Sequence, residues 1–215
     1  MTKKIVGGMV ILGVLHLSAS ESIKSMDDLL KKYSSKNASA VLIDFPEPHL
    51  TMKDFSGWSF TNTIFSSPSS GNTNFKGAKL KGAGSLKTIF SKELKNCSFQ
   101  EATIESVVFE EVISNCDFQK ATLKNVEFRK EVAAPVFQAA TLTDVDFHDE
   151  VKSGNFDQAK LKNVRFRKEF KGSFAGAEAA GCSDKDGKAL TVRSGKLELL
   201  VPPANEEKKP EEAKK

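Results

Sequence analysis

The chain has 215 residues, of which 39% are hydrophobic, 28% charged and 8% aromatic. This composition can fill one hydrophobic core, so one folded domain is expected. A formal net charge of only +4 argues against a strongly basic nucleic-acid binder and against a uniformly acidic mimic. Phe supplies 16 of the 18 aromatic residues, which indicates that it occupies recurring positions.

Positions 1–20 predict a secretory signal peptide. Lys3 and Lys4 precede an apolar stretch over positions 5–17, and the small residues Ser18, Ala19 and Ser20 follow it. This stretch is too short to cross a hydrocarbon layer, which needs about 20 apolar residues. An uncleaved anchor or a buried N-terminal segment is the alternative. The prediction places the protein in a bacterial periplasm or outside the cell, with membrane contact only through the signal peptide.

Residues 21–49 predict an N-terminal cap made of a short helix and a strand. Ser25 can cap the helix, and Asp28 lies in its first turn, where a negative charge is favoured. Residues 40–45 form an apolar run that ends at Pro46 and predicts a strand.

The middle of the chain contains a 19-residue repeat. Four series of large residues follow this period. They are Phe90, Phe109, Phe128, Phe147 and Phe166; Phe99, Phe118, Phe137 and Phe156; Ile104, Leu123, Leu142 and Leu161; and Leu94, Ile113, Val132, Val151 and Phe170.

Within one period the large residues are spaced 5, 5, 5 and 4 apart, which fits neither a helix nor a flat sheet. A coil with four short sides fits, because each side then points one large residue and, two positions earlier, one small or β-branched residue into the centre. Coils would stack through parallel hydrogen bonds at about 4.8 Å. We expect this all-β solenoid over residues 50–175, with about six turns.

The units Ala121-Thr122-Leu123-Lys124-Asn125 and Ala159-Lys160-Leu161-Lys162-Asn163 resemble the pentapeptide-repeat family. The resemblance covers about half of the chain, from Thr73 to Phe170, and implies a right-handed quadrilateral parallel β-helix. The sequence departs from the family pattern by dropping one residue on every fourth side. Phe55, Phe60 and Phe65 keep the five-residue step one residue out of register, and a loop over residues 66–71 is expected to absorb that slip.

The two ends of the solenoid are expected to be capped, because open coils expose unpaired backbone groups. Residues 176–201 predict a C-terminal cap with a hairpin-like pair of strands, and residues 202–215, rich in Glu, Lys and Pro, predict a disordered tail. End-to-end or cap-mediated dimerisation is an open alternative.

Charge alternates from turn to turn. Successive 19-residue turns from Leu80 carry net charges of +3, −5, +2, −3 and +4. A slip by one whole turn would bring like charges together, so the alternation favours one register. One outward column is expected to form a charge ladder. Its members are Lys92, Glu111, Lys130, Asp149 and Lys168.

Few residues suggest chemistry. The three histidines are His16, His49 and His148, and only His148 falls in the repeat, in an outward column between Arg129 and Arg167. No cofactor, metal or catalytic site is predicted. A calcium site and a nucleic-acid patch are alternatives to solvated structural charges, which the pattern favours. The calcium site would consist of Asp144, Asp146, Asp149 and Glu150. The nucleic-acid patch would consist of Lys160, Lys162, Arg165, Arg167 and Lys168.

Cys97 and Cys116 lie one full period apart in the same small inward position. Stacked coils would set their α-carbons about 4.8 Å apart, which a disulfide allows. Free buried thiols are favoured, because both side chains would otherwise have to turn toward each other inside a packed core. Cys182, beyond the repeat, could pair with another chain or stay reduced.

These observations predict an exported, non-enzymatic pentapeptide-repeat protein that is a rigid scaffold or protein-binding module, with no nucleic-acid partner. The resemblance implies one alternative, a cytoplasmic DNA mimic that binds DNA gyrase, although the signal peptide and the alternating charge argue against it. A secreted effector is a further alternative. An enzyme of the larger β-helix lyase type would need a groove with convergent carboxylates and Arg, which the sequence does not indicate.

Overall fold

The computed structural model describes residues 21–44, 52–66, 70–84 and 86–200. The predicted signal peptide with His16, the segment with His49, and the predicted tail lie outside the described residues. Regular structure in the described part is almost entirely β, with one helix, α1, at Met26–Lys32. The Ser25 hydroxyl accepts a hydrogen bond from the Asp28 backbone N–H at 3.1 Å, which confirms the predicted cap.

The strands are short, most of them two or three residues. In chain order they are β1 (Glu21–Ile23), β2 (Asn37–Ser39), β3 (Val41–Ile43), β4 (Ser59–Thr61), β5 (Ile64–Phe65), β6 (Ser70–Gly71), β7 (Lys79–Lys81), β8 (Thr88–Phe90), β9 (Leu94–Lys95), β10 (Thr103–Glu105), β11 (Val107–Phe109), β12 (Ile113–Ser114), β13 (Thr122–Phe128), β14 (Val132–Ala133), β15 (Thr141–Phe147), β16 (Val151–Asn155), β17 (Lys160–Lys162), β18 (Arg165–Phe166), β19 (Phe170–Ser173), β20 (Glu178–Ala180), β21 (Cys182–Ser183), β22 (Ala189–Arg193) and β23 (Lys196–Leu199).

The chain winds as a four-sided solenoid in which each side is a stack of parallel strands. Side A is formed by β2, β4, β7, β10, the first half of β13, the first half of β15, β17 and β20. Side B is formed by β1, β3, β5, β8, β11, the second halves of β13 and β15, β18 and β21. Side C is formed by β6, β9, β12, β14, β16 and β19, and side D by single parallel bridges.

Side A has eight strands, so the solenoid has about eight turns instead of the six expected. Six of these strands lie within residues 50–175, and the other two, β2 and β20, lie in the segments predicted as caps but pair in parallel with the coils. The turns before Phe90 also depart from the 19-residue period. The step from Phe65 to Phe75 is one residue longer than the step from Phe90 to Phe99, and five additional residues separate Leu80 from Phe90. Strand pairing nevertheless places Phe65 directly beside Phe90, in the same column as the later coils.

Stacked aromatic rings fill the centre. Phe118 stacks on Phe99 and Phe137 with ring centroids 4.8 Å apart in both cases, and meets Phe128 of the neighbouring column edge-on at 6.0 Å. Each ring therefore has aromatic neighbours in its own column and in the next one. All residues of the four large-residue series from Phe90 to Phe166 are buried, and Phe170, at the end of the fourth series, is partly buried.

The corner after seven of the eight side A strands uses a residue in the left-handed region, the exception being Gly82 after β7. Asn62, Asn125 and Asn163 have φ of 51°, 54° and 54°, and Ser106 and Asp144 occupy the equivalent positions at 55° and 54°. Asn and Asp tolerate this conformation better than other L-residues, and β-branched residues tolerate it poorly. The turn from side A to side B therefore explains why Asn or Asp recurs at these corners.

Both ends carry additional structure. β1 pairs with β3 at the N-terminal end of side B. At the other end β21, β22 and β23 form an antiparallel meander, so the predicted strand pair lies at β22 and β23. Leu190 and Leu197 of this hairpin are buried. No helix among the described residues is long and apolar enough to cross a membrane.

Candidate binding face

The residues of the two alternative sites, for calcium and for nucleic acid, do not come together in the structure. Asp144, Asp146, Asp149 and Glu150 lie on or between different sides, and each has its own partner. Asp144 accepts a hydrogen bond from the Asn163 amide at 2.9 Å. The other three pair with Arg167, Lys168 and Lys152, in that order. Within the described residues no group of three or more His, Cys, Asp or Glu could hold a metal ion.

The basic residues divide between sides in the same way. Arg167 donates two hydrogen bonds to Asp146, at 2.7 and 2.6 Å, and this pairing raises the pKa of Arg167. Lys168 is 2.8 Å from Asp149. Lys160 and Lys162 lie on side A and form no ion pair with any described residue. The five cations therefore do not make one continuous patch.

Only one pair of neighbours in the predicted charge ladder, Asp149 and Lys168, forms an ion pair among the described residues. The Lys168 ammonium group holds the pKa of Asp149 below its usual value, and Asp149 raises the pKa of Lys168. Lys92, Glu111 and Lys130 form no ion pair with one another. Neighbouring columns contain further pairs between adjacent coils, such as Arg129 with Glu110 at 3.0 Å and Lys152 with Glu131 at 2.6 Å.

His148 lies between Arg129 and Arg167 in its column, as the period requires. Its side chain is about one-third exposed, and its Nε2 is 3.7 Å from Asp146 Oδ2. Asp146 also binds Arg167, so the imidazole is part of a charged surface network.

All three cysteines are buried, and none of them is in a disulfide in the structure. The pair at Cys97 and Cys116 lies on side D in adjacent coils, where the Cys97 backbone N–H donates to Cys116 Sγ at 3.4 Å. The neighbouring Cys97 sulfur and burial together raise the pKa of Cys116 well above its usual value. Burial also raises the pKa of Cys182. Whether the pair is oxidised in the cell stays a prediction.

The four sides differ in charge. On each side two outward columns flank the central residues, and their charged side chains can be summed over the described residues. Side A has five Lys and two Glu, or +3; side B has four cations and four acids, or 0; side C has three Lys and four Glu, or −1; and side D has one Lys and three Asp, or −2. Side A alone is net positive.

We call the outward surface of side A the lysine–threonine face. Its columns are Asn37, Ser59, Lys79, Thr103, Thr122, Thr141, Lys160 and Glu178, and Ser39, Thr61, Lys81, Glu105, Lys124, Thr143, Lys162 and Ala180. These side chains are short or flexible and include no aromatic residue and no Arg. Most of them were not predicted as site residues, because the charge was summed per turn and not per side. The residues on either side of Ile104, Leu123, Leu142 and Leu161 form these two columns, so comparing them across turns would have shown the excess of Lys and Thr in the sequence.

No protein-family model and no curated protein matches this chain. Solved structures that are similar include HetL, a pentapeptide repeat protein involved in heterocyst differentiation regulation from the cyanobacterium Nostoc sp. strain PCC 7120. The identity is 12%, the TM-score is 0.34, and the match covers 75% of this chain and 82% of that chain. QnrB1, a plasmid-mediated fluoroquinolone resistance protein, is 16% identical, with a TM-score of 0.31 and coverage of 75% and 71%.

A pentapeptide repeat protein from the Arabidopsis thaliana thylakoid lumen is 24% identical, with a TM-score of 0.21, and the match covers 62% of this chain and 63% of that one. These identities and TM-scores are low, so the fold assignment rests on the repeats and coils described above. No function is transferred from these proteins.

Proposed function

We propose that this chain, whose five-residue units and four-sided coils resemble those of pentapeptide-repeat proteins, is an exported, non-enzymatic module that binds a protein partner along the side of its solenoid. The observation that carries the proposal is the filled interior. Stacked Phe rings occupy the centre of the coils, so the surface that remains for recognition is the set of four sides.

Rigidity supports a binding role. Each coil is hydrogen-bonded to the coils before and after it, and outward side chains repeat at about 4.8 Å along the axis. A surface that is ordered before binding loses little conformational entropy when a partner docks. The sides can therefore present side chains at fixed spacings without reorganising.

The electrostatics support a non-enzymatic role. Among the described residues, the carboxylates with lowered pKa values are held by neighbouring cations or by hydrogen bonds, as Asp44 is by Lys24 and Asp54 is by Ser56. Catalytic acids and bases instead tend to have pKa values shifted toward neutrality in a cleft.

The segment before Glu21 supports export. Lys3 and Lys4 precede the apolar positions 5–17, as in a signal peptide, and cleavage after Ser20 would leave strand β1, which starts at Glu21, intact. The charge balance of the sides, +3, 0, −1 and −2, also differs from the uniformly negative surface that a DNA mimic bound to gyrase would need.

Photo-crosslinking in the native host tests the binding role. A photoreactive phenylalanine analogue is placed at one exposed position per side, namely Thr122, Arg129, Lys152 and Lys76 for sides A to D. We expect one side to give a discrete crosslinked protein, reproduced from the next coil on the same side. Absence of crosslinks from all four sides, or equal smears from all four, would contradict the proposal.

Fractionation of the native host with mass analysis of the N-terminus tests the export. We expect a chain that starts near Glu21 in the periplasm or the medium. An intact Met1 in the cytoplasm would overturn the export proposal and make an assay of gyrase supercoiling the next experiment.

A further inference from the structure

We infer that the lysine–threonine face is the docking face of this solenoid and that its partner is an acidic protein segment with a row of carboxylates. This inference rests on the proposed protein-binding function and names the surface and the chemistry of the partner. Charge complementarity is its first support, because side A has a net charge of +3 and the other sides have 0, −1 and −2.

The lysines of this face recur on alternate coils. Lys79 and Lys81 lie on the third strand of side A, Lys124 on the fifth, and Lys160 and Lys162 on the seventh. Strands in a sheet are about 4.8 Å apart, so these cations lie roughly 10 Å apart along the axis. A partner with carboxylates at a similar spacing could pair with several lysines at once.

Three lysines of this face form no ion pair with any described residue, namely Lys79 on the third strand and Lys160 and Lys162 together on the seventh. Lys81 and Lys124 share Glu105, which lies between them at 3.6 and 3.7 Å from their ammonium groups. Lys160 and Lys162 have no acidic partner among the described residues. They border a shallow depression together with Thr141, Thr143 and Glu178. We place the centre of the docking surface there.

Threonine hydroxyls fill the rows between the lysines. Thr103, Thr122, Thr141 and Thr143 make no side-chain hydrogen bond to any described residue, so their O–H groups are available to donate to a partner's carboxylates. The side chains are short, which keeps the face flat and lets an extended segment approach the lysines closely.

The composition of the face favours carboxylates on a protein over phosphates of a nucleic acid. Arg, with its planar fork, is the preferred partner of phosphate, and aromatic side chains provide the stacking that single-stranded nucleic acids use. The two columns of this face contain neither. Lys, a compact point charge, pairs with a carboxylate without requiring bidentate geometry.

The binding of labelled poly-L-glutamate, a polypeptide of carboxylates, tests the chemistry by fluorescence anisotropy with the full chain. The variant Lys160→Glu/Lys162→Glu is compared with Lys95→Glu/Lys171→Glu, which changes the net charge equally on side C. We expect the first variant to weaken binding by about tenfold and the control by about twofold or less. The variant Lys160→Arg/Lys162→Arg should retain binding. All four substituted lysines are exposed, so these variants should fold.

Three results would overturn the assignment: equal weakening by both variants, no binding of poly-L-glutamate at low salt, or tighter binding of heparin or of a DNA duplex at the same ionic strength. The first would mean that only net charge matters, and the last that another polyanion fits better.

The crosslinking experiment separates this inference from the function on which it rests. A discrete partner crosslinked from Thr122, and lost in Lys160→Glu/Lys162→Glu, supports both. A discrete partner crosslinked from Arg129, Lys152 or Lys76 alone leaves the binding function standing and overturns the docking face. No crosslink from any side overturns both.

Discussion

The backbone N–H of Cys97 donates a hydrogen bond to the sulfur of Cys116 across the boundary between two adjacent coils, at 3.4 Å. The Cys116 sulfur also lies 3.5 Å from the Ser114 carbonyl oxygen. Both thiols are sealed from solvent, with exposures of 1% and 0%. The thiolate is the reactive form of cysteine, and the Cys97 sulfur and burial both oppose its formation at Cys116.

We therefore expect all three cysteines to resist Ellman's reagent in the folded protein and to react once the chain is unfolded in guanidinium. Rapid reaction of the native protein would contradict the observed burial. The mass of protein taken from the host, measured without reductant, distinguishes the two redox states, because a disulfide between Cys97 and Cys116 would remove two hydrogens and withhold two thiols even after unfolding.

The aromatic stack predicts a large loss of stability at its centre. Phe118→Ala removes a fully buried ring with neighbours in two columns, so the free energy of unfolding should fall by about 3–5 kcal/mol. Denaturant unfolding followed by circular dichroism measures this loss. Phe170→Ala is the matched control. That ring is only partly buried, so its loss should be clearly smaller, and equal losses would contradict the packing described here.

Replacing the corner residue Asn125 is expected to change stability through the conformation of its backbone. Its φ of 54° is in the left-handed region, so Asn125→Val should lower the free energy of unfolding by about 1–2 kcal/mol. Asn125→Gly should cost less, because glycine adopts this conformation readily. Lys124→Val, on the adjoining strand, is the control and should be close to neutral. A valine tolerated equally well at both positions would exclude strain as the reason for Asn.

Glu127 predicts a dependence of stability on pH. Burial alone would raise the pKa of Glu127, but Lys87 and Arg129 outweigh it and hold the pKa below 4.5. A folded-state pKa below the unfolded one stabilises the fold above about pH 4.3, and this stabilisation is lost as the pH falls through the folded value.

Glu127→Gln should therefore be less stable than the wild type at pH 7, and the difference should shrink at about pH 3. Thermal unfolding at both pH values measures it. Glu178→Gln, an exposed side A residue without an ion pair among the described residues, should show little difference at either pH. A gap between Glu127→Gln and the wild type that persists in acid would mean that the carboxylate acts through packing and not through charge.

Disrupting the packing of the C-terminal hairpin is expected to make the protein self-associate. Leu197 is 7% exposed where β22 and β23 fold back at the end of the coils. Leu197→Asp should weaken this packing by about 2 kcal/mol and uncover the backbone of the last coil, which can then pair with another molecule. Sedimentation velocity should show larger species for Leu197→Asp and none for Lys196→Asp, an exposed neighbour. A variant that stays the same size as the wild type would show that the hairpin does not protect this end.

The sequence predicted the regular coils because Phe99, Phe118, Phe137 and Phe156 repeat without interruption. It assigned β2 and β20 to the caps, because neither segment carries the large residues of the 19-residue series, although parallel pairing makes them the first and last strands of side A. The charge ladder was predicted from spacing alone. Side-chain length and direction decide pairing, so Asp149 meets Lys168 while Glu111 and Lys130 do not pair.

The candidate face was hidden for a different reason. Summing charge along the chain groups Lys160 and Lys162 with Arg165, Arg167 and Lys168 of other sides and separates them from Lys124. The lysines of side A become one surface only when the residues are sorted by side. That sorting depends on knowing which positions in each coil point outward on the same stack of strands.

The alternation of net charge between successive turns has a consequence for how such a rod can change its length. Removing or duplicating one turn would keep every Phe column intact but would place two turns of the same sign against each other. Removing or duplicating two turns together would preserve both the columns and the alternation. The unit of growth for this protein is therefore a pair of coils, and natural length variants of the rod should differ by whole multiples of that pair.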